Sequence, residues 1–66
     1  MDIKEIRELA GLTQASFAKK YHIPLGTLRH WEAGERKPPA YVLYLLERCE
    51  RYETLLWIVK NAPDKE

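Results

Sequence analysis

Residues 12–38 read LTQASFAKKYHIPLGTLRHWEAGERKP and hold the strongest structural signal in the chain. Thr13 can cap a helix, because its hydroxyl can accept a hydrogen bond from a first-turn backbone N–H. The sequence HIP at 22–24 interrupts the helical pattern, and its proline suits the start of a second helix. Gly34 can end that helix in a left-handed conformation. We therefore predict two short helices within about 13–33, separated by a tight turn and followed by a basic loop.

Apolar residues recur at helical spacing along both short helices and predict one buried face on each. The expected buried positions are Ala15, Phe17, Ala18, Tyr21, Leu28 and Trp31. Ile23 can fill the angle between the two helices. The outer face of the second helix is then left with Leu25, Gly26, Arg29 and His30.

Further helices are predicted on both sides of this stretch. Asp2 can cap a helix over 3–10, which Gly11 can end. The Pro38-Pro39 pair then breaks the chain and starts a segment over about 39–62, which forms either one long helix or two consecutive ones. The sequence shows no strand pattern. We therefore expect one all-α domain over residues 1–66, built as a four- to five-helix bundle with a long C-terminal helix.

The composition excludes several classes of protein. The chain has 66 residues, enough for one small domain with a small core. Its one cysteine, Cys49, excludes an intramolecular disulfide and a cysteine-based zinc site, and His22 and His30 lack zinc-ligand spacing. The sequence contains no signal peptide, membrane-spanning run, catalytic carboxylate pair or glycine-rich phosphate loop. We therefore expect a cytoplasmic, non-enzymatic protein without a metal or other cofactor.

The net charge of +1 conceals an uneven distribution. Residues 12–37 carry five basic and two acidic side chains, a net charge of +3. Residues 41–66 carry four basic and five acidic side chains, a net charge of −1. The central segment is therefore the better surface for a polyanion, although the chain is too weakly charged to bind nucleic acid by charge alone. We interpret Lys19 and Lys20 as solvated helix-end residues rather than phosphate contacts.

The C-terminal segment carries more apolar surface than one helix face can hold. Six residues follow the alternating spacing of a heptad seam: Val42, Leu45, Cys49, Tyr52, Leu56 and Val59. Cys49 is then a small buried apolar residue. One face can close the core, and the surplus predicts a second surface, which we interpret as a homodimer contact. Trp57 lies outside the seam and is compatible with the core, the dimer contact or the docking of another protein.

The central segment resembles the helix-turn-helix of the Cro and phage-repressor family, also called the xenobiotic-response-element family. The shared positions are Leu12, Thr13, Gln14, Phe17, Ala18, Ile23, Leu28, Trp31, Glu32, Gly34 and Pro38. The Trp-Glu-x-Gly stretch with its following basic residues is also similar to antitoxin members of the family. The resemblance covers roughly 3–47 and implies a lambda-repressor-like fold. It also implies a transcriptional regulator, a repressor or autorepressor, that binds double-stranded DNA.

The resemblance implies roles for individual residues. The second short helix would enter the major groove, with base-facing positions at Leu25, Gly26, Arg29 and His30. Phosphate contacts would come from Gln14, Thr27, Arg36 and Lys37. Arg7 and Glu32 occupy positions that commonly form an ion pair between the first and third helices. These roles would belong to one half of a homodimer whose C-terminal helices make the contact.

Two departures from the family pattern concern base recognition. Leu25 and Gly26 stand where Gln, Ser or Arg are common; Leu25 can touch a thymine methyl but cannot donate a hydrogen bond. Base reading therefore falls on Arg29, which can pair bidentately with guanine, and on His30.

An alternative interpretation is a protein-interaction module on the same scaffold, such as an antitoxin that binds a toxin-like partner. The near-neutral charge favours it, and Leu25 with Gly26 would form a small apolar docking face. A second alternative is a fragment of a longer regulator; the initial Met and the charged final residues PDKE favour a complete chain.

Overall fold

The computed structural model describes residues 1–61, and within them the chain forms four helices and no strand. The elements are α1 (Ile3–Ala10), α2 (Gln14–Tyr21), α3 (Leu25–Ala33) and α4 (Ala40–Asn61). The predicted all-helical fold with a long C-terminal helix is confirmed. The segment that the sequence left as one helix or two is a single helix of 22 residues. Its predicted end near residue 62 lies outside the described residues.

Local capping sets the beginning of the first two helices. The Asp2 carboxylate accepts a hydrogen bond from the backbone N–H of Glu5 at 2.8 Å, and the Glu5 side chain accepts one from the N–H of Asp2 at 2.9 Å. This reciprocal capping box satisfies two N–H groups that the helix itself leaves open. At α2, the Thr13 hydroxyl accepts from the N–H of Ser16 at 3.1 Å. Gly11 separates the two helices with a φ of 71°, a left-handed conformation that favours glycine.

The turn between α2 and α3 occupies residues 22–24. His22 ends α2 in the left-handed region, with a φ of 58°. The N–H of Ile23 donates to the carbonyl of Ala18 at 2.9 Å, which folds the chain back across the end of α2. Pro24 precedes α3 and offers no side-chain cap to its first turn. The turn therefore sets the angle between α2 and α3 through the backbone.

The core contains side chains from all four helices. Phe17, Ile6 and Leu28 are fully buried. The remaining buried apolar residues are Ile3, Ala18 and Leu46. Ala15, which the helical pattern predicted to be buried, is exposed. None of the helices in the described part of the chain is long and apolar enough to span a bilayer.

The long helix α4 uses only its first half to close this core. Val42 and Leu43 pack against it together with Leu46, and Glu50 is the last buried residue of the helix. Every residue from 51 to 61 is exposed. The chain measures 51 × 21 × 17 Å, because the second half of α4 extends beyond the packed helices.

A polar cluster joins the end of α2 to the middle of α4. Lys20 Nζ lies 2.7 Å from Glu50 Oε2 and 2.6 Å from Glu53 Oε1, and the Tyr21 hydroxyl donates to the Glu50 carboxylate. The interpretation of Lys20 as a solvated helix-end residue was therefore wrong, because α4 brings two carboxylates over it. Burial lowers the pKa of Lys20, but the hydrogen bonds to both carboxylates outweigh it and raise the pKa above its ordinary value.

The Tyr21 hydroxyl remains a hydrogen-bond donor over the whole neutral range. Burial raises its pKa, and the hydrogen bond to the Glu50 carboxylate raises it further. Glu50 thus holds two donors from α2 at a position that is only 3% exposed. This carboxylate anchors α4 to α2.

We predict that Glu50→Ala lowers the free energy of unfolding by about 1–3 kcal/mol, because two donors lose a buried acceptor. The matched control is Glu53→Ala, which removes an exposed carboxylate from the same lysine and should change stability by less than about 0.5 kcal/mol. Urea unfolding followed by circular dichroism measures both values. Equal effects of the two substitutions would contradict the anchoring role of Glu50.

Candidate nucleic-acid interface

The outer face of α3 is a narrow, exposed surface. Gly26, Arg29 and His30 are exposed, as predicted, and Ala33 is exposed beside them. These four positions share one side of the helix, because Arg29 and His30 each lie three or four residues from both Gly26 and Ala33. Ala33 was missed in the sequence, although the same spacing could have identified it. Around the helix axis, the small residues Gly26 and Ala33 therefore lie between the side chains of Arg29 and His30.

Leu25 and Thr27 are less accessible than the sequence predicted. Leu25 is half-buried and packs against the core, because it lies three residues before the buried Leu28 and shares its side of the helix. Its placement on the outer face was therefore only partly right. Thr27 is half-buried as well. Both lie in the first turn of α3, where Pro24 leaves the backbone N–H groups without a side-chain cap. Such an open helix N-terminus can accept an anion.

Gly26 has no structural reason to be glycine. It lies within α3, and a Cβ atom built at this position meets nothing within 4 Å. Glycine in a helix is less stable than alanine by about 1 kcal/mol. The packing of this chain does not require a glycine here. The space above Gly26 is open to a molecule outside the chain.

Arg7 and Glu32 form the predicted pair, in a bidentate arrangement between α1 and α3. Arg7 Nε lies 2.7 Å from Glu32 Oε2, and Arg7 Nη2 lies 3.0 Å from Glu32 Oε1. The third contact of the guanidinium is a hydrogen bond from Nη1 to the carbonyl of Leu12 at 2.9 Å. The pair therefore connects α1, the loop after it and α3.

Each member of the Arg7–Glu32 pair stabilises the charged form of the other. The hydrogen bond to Glu32 raises the pKa of Arg7. Burial by itself raises the pKa of Glu32, but the hydrogen bonds from Arg7 and Gln14 outweigh it and hold the pKa below its ordinary value. The pair consequently remains charged and intact throughout the neutral range.

Gln14, the first residue of α2, has part of its hydrogen-bonding capacity left over. Its Nε2 donates to Glu32 Oε1 at 3.1 Å, which orients the amide next to the start of the helix. An amide nitrogen carries two hydrogens, so a second donor is available. The first turn of α2 also contains backbone N–H groups without a partner inside the helix, of which Thr13 caps that of Ser16. This position therefore combines a side-chain donor with a helix N-terminus that favours phosphate.

Arg36 and Lys37 lie in the loop after α3 and are exposed. Gly34 ends the helix with a φ of 81°, and the N–H of Arg36 donates to the carbonyl of His30 at 3.3 Å. Neither Arg36 nor Lys37 forms an ion pair within residues 1–61. Both charges are therefore free to meet an outside anion beside α3.

One contact at this surface was absent from the sequence predictions. The Glu35 carboxylate contacts Nδ1 of His30, and both side chains are largely exposed. Glu35 follows His30 by five residues, one more than the usual spacing of neighbouring side chains on a helix. Only the left-handed turn at Gly34 brings the two together. Helical periodicity could not have identified this pair.

The predicted seam residues of α4 divide into two groups. Val42 is half-buried and packs on the core. The other seam residues are exposed: Leu45, Cys49, Tyr52, Leu56 and Val59. Trp57, which lies outside the seam, is exposed as well. Cys49 is therefore exposed in the single chain, contrary to the prediction that it is buried. Within residues 1–61, no group of histidine, cysteine or acidic side chains is arranged to hold a metal ion.

We predict opposite stability changes for alanine at Gly26, inside α3, and at Gly34, which ends that helix. Gly26→Ala should raise the free energy of unfolding by about 1 kcal/mol, because the methyl group meets no atom and alanine favours the helix. Gly34→Ala should lower it by about 1–2 kcal/mol, because alanine is strained at positive φ. Thermal and urea unfolding measure both. A loss of stability in Gly26→Ala would contradict the open space above α3.

The comparisons with known proteins agree with this arrangement. A family model described as "Helix-turn-helix" matches residues 3–49, which run from the start of α1 into the first half of α4. No curated protein and no solved structure shows a significant match to the chain. The match covers more than half of the chain and includes both short helices with their turn. The chain therefore belongs to the Cro/C1-type (xenobiotic-response-element) helix-turn-helix family of DNA-binding regulators.

Proposed function

We propose that this chain is a cytoplasmic, sequence-specific repressor that binds duplex DNA as a homodimer, with α3 in the major groove. The observation that carries the proposal is the outer face of α3. It combines a guanidinium that has no ion pair within residues 1–61, an imidazole and two small residues on a rigid helix, and the packing of the chain does not explain Gly26. A helix with small residues on its outer face can approach the edges of the bases closely.

Arg29 is the principal base-reading residue in this proposal. Its side chain is exposed and has no acidic partner within residues 1–61. A guanidinium can donate two parallel hydrogen bonds to O6 and N7 of guanine, which is worth about 1–3 kcal/mol of discrimination. Gly26 and Ala33 would let the helix backbone come close enough for this contact.

Phosphate contacts would surround α3 on both sides. The spare N–H of Gln14 and the start of α2 would bind one phosphate, and Thr27 would bind another at the uncapped start of α3. Arg36 and Lys37 would hold the backbone at the other end of α3. Such contacts position the protein on the duplex without reading its sequence.

A homodimer would give this small module its specificity. The exposed seam positions of α4, Leu45, Cys49, Tyr52, Leu56 and Val59, are all uncharged, which supports contact with a second copy. Two modules related by a two-fold axis would read half-sites about 34 Å apart, one turn of the duplex. A dimer that covers its operator would repress by excluding other proteins from that site.

A second candidate function, an antitoxin-like module that binds another protein, is favoured by the distal half of α4. Residues 55–59 are five consecutive apolar residues, and all are exposed. A two-stranded seam would bury Leu56 and Val59, and would leave Leu55, Trp57 and Ile58 uncovered. Exposed apolar surface of this kind is typical of a protein contact. This function is compatible with DNA binding by the same chain.

We predict that affinity for random-sequence duplex falls steeply with salt concentration. Replacing Arg36 and Lys37 together by alanine should weaken binding and reduce the slope of log affinity against log salt by about 2, one for each phosphate contact. Lys60→Ala, which removes an exposed lysine on α4, is the matched control and should leave the slope unchanged. Fluorescence anisotropy measures the slopes. Absent or salt-independent binding of the parent at low salt would refute the DNA function.

We predict that Leu56→Glu converts the dimer to a monomer, because it places a charge on the seam. Thr54→Glu is the control, since Thr54 is exposed on the same helix but lies off the seam. Sedimentation equilibrium of the parent and both variants measures the change. A parent that stays monomeric at high concentration would show that the seam is not a dimer contact.

A further inference from the structure

The contact between Glu35 and His30 assigns a role to a residue that the helix-turn-helix pattern leaves unused. We propose that Glu35 is a positioning residue that fixes the tautomer of His30 for base reading. When its ring is neutral, His30 in this arrangement presents Nε2 to the groove as an acceptor and selects a base that carries an amino group, adenine or cytosine. The inference rests on the proposed DNA-binding function and deepens it.

The backbone at the end of α3 holds Glu35 in place. Gly34 turns the chain with a φ of 81°, and the N–H of Glu35 then donates to the carbonyl of His30 at 3.0 Å. The N–H of Arg36 donates to the same carbonyl at 3.3 Å. These two main-chain bonds fix the start of the Glu35 side chain beside the imidazole. The contact is therefore supported by the helix terminus as well as by the two side chains.

The chemistry of the contact determines where the imidazole proton lies. An ionised carboxylate can only accept hydrogen bonds, so the His30 nitrogen that it contacts, Nδ1, must carry the hydrogen. In a neutral imidazole the other nitrogen, Nε2, is then unprotonated and accepts. Within residues 1–61, Nε2 has no hydrogen-bond partner, and the His30 side chain is 50% exposed. An acceptor is therefore available on the outer face of α3.

The major groove offers this acceptor only two kinds of donor. Adenine presents its N6 amino group and cytosine its N4 amino group, whereas guanine N7 and O6 and thymine O4 are acceptors. The neighbouring Arg29 can only donate, so it selects the opposite set of groups. Arg29 would thus contact a hydrogen-bond acceptor of one base, and His30 would contact a hydrogen-bond donor of another. Without the carboxylate, the imidazole is free to adopt either tautomer, and this discrimination is lost.

Glu35 should affect the affinity for random duplex and the base specificity in opposite directions. Its carboxylate lies in a loop that otherwise carries Arg36 and Lys37, so it repels the phosphate backbone and lowers affinity for any sequence. Glu35→Ala should therefore bind random duplex at least as tightly as the parent. A residue that contacts phosphate would strengthen binding to any duplex. Glu35 should instead weaken binding to random duplex and increase base specificity, and this difference identifies a positioning role.

The test combines a spectroscopic measurement with selection from a random DNA pool. Long-range ¹⁵N–¹H spectra of the chain without DNA at pH 8, where imidazole is ordinarily neutral, identify the protonated nitrogen of His30. His22, whose side chain has no hydrogen-bond partner within residues 1–61, is the internal reference. Selection is then carried out with the parent, Glu35→Ala and His30→Ala, after circular dichroism has verified that each is folded.

We expect the Nδ1–H tautomer in the parent, a tautomer mixture in Glu35→Ala, and a selected site with adenine or cytosine at one position. The preference at that position should fall about fivefold in Glu35→Ala, the value of one hydrogen bond, and disappear in His30→Ala. The Nε2–H tautomer in the parent, or an unchanged site in Glu35→Ala, would overturn the inference while the repressor function stands. Failure of the parent to bind any duplex at low salt would overturn both.

Discussion

The orientation of α3 depends on the guanidinium of Arg7. Apolar burial is not directional, and each helix contributes only one or two buried side chains to the core. The guanidinium instead holds α3 through both oxygens of Glu32 and holds the loop after α1 through the carbonyl of Leu12. A planar bidentate contact restrains the rotation of α3 about its own axis. Because that rotation decides which side chains face outward, the exposed face of α3 depends on a charge pair on its inner side.

Two buried carboxylates, Glu32 and Glu50, organise the charge of the surface. Glu32 engages Arg7, and Glu50 engages Lys20, so two basic side chains become structural. On α2, α3 and the loop after α3, the exposed basic residues that form no ion pair within residues 1–61 are Lys19, Arg29, Arg36 and Lys37. The ion pairs thus stabilise the fold and leave the unpaired positive charge concentrated along α3 and its following loop. A nearly neutral chain can in this way carry a local surface suited to a polyanion.

The sequence predicted the local features of the fold well. The capping residues Asp2 and Thr13 and the left-handed Gly34 act within three or four residues of the chain, so a short window contains all the information they need. The sequence was less successful with Leu25, which helical spacing left on the outer face but which lies close enough to Leu28 to reach the core. It missed Glu35, because its contact with His30 requires a turn that breaks the helical period.

The helices, their ends, the tight turn and the buried Phe17 follow from short-range patterns, because capping and helical periodicity operate between neighbours in sequence. Which charges pair, and which remain free, was decided by the tertiary structure. Arg7 and Glu32 are 25 residues apart, and Lys20 and Glu50 are 30 apart. The packing of α1 against α2, α3 and α4 brings them together, and any charge can pair with several others until that packing exists. The free charge on α3, and with it the proposed DNA surface, is therefore a property of the folded chain.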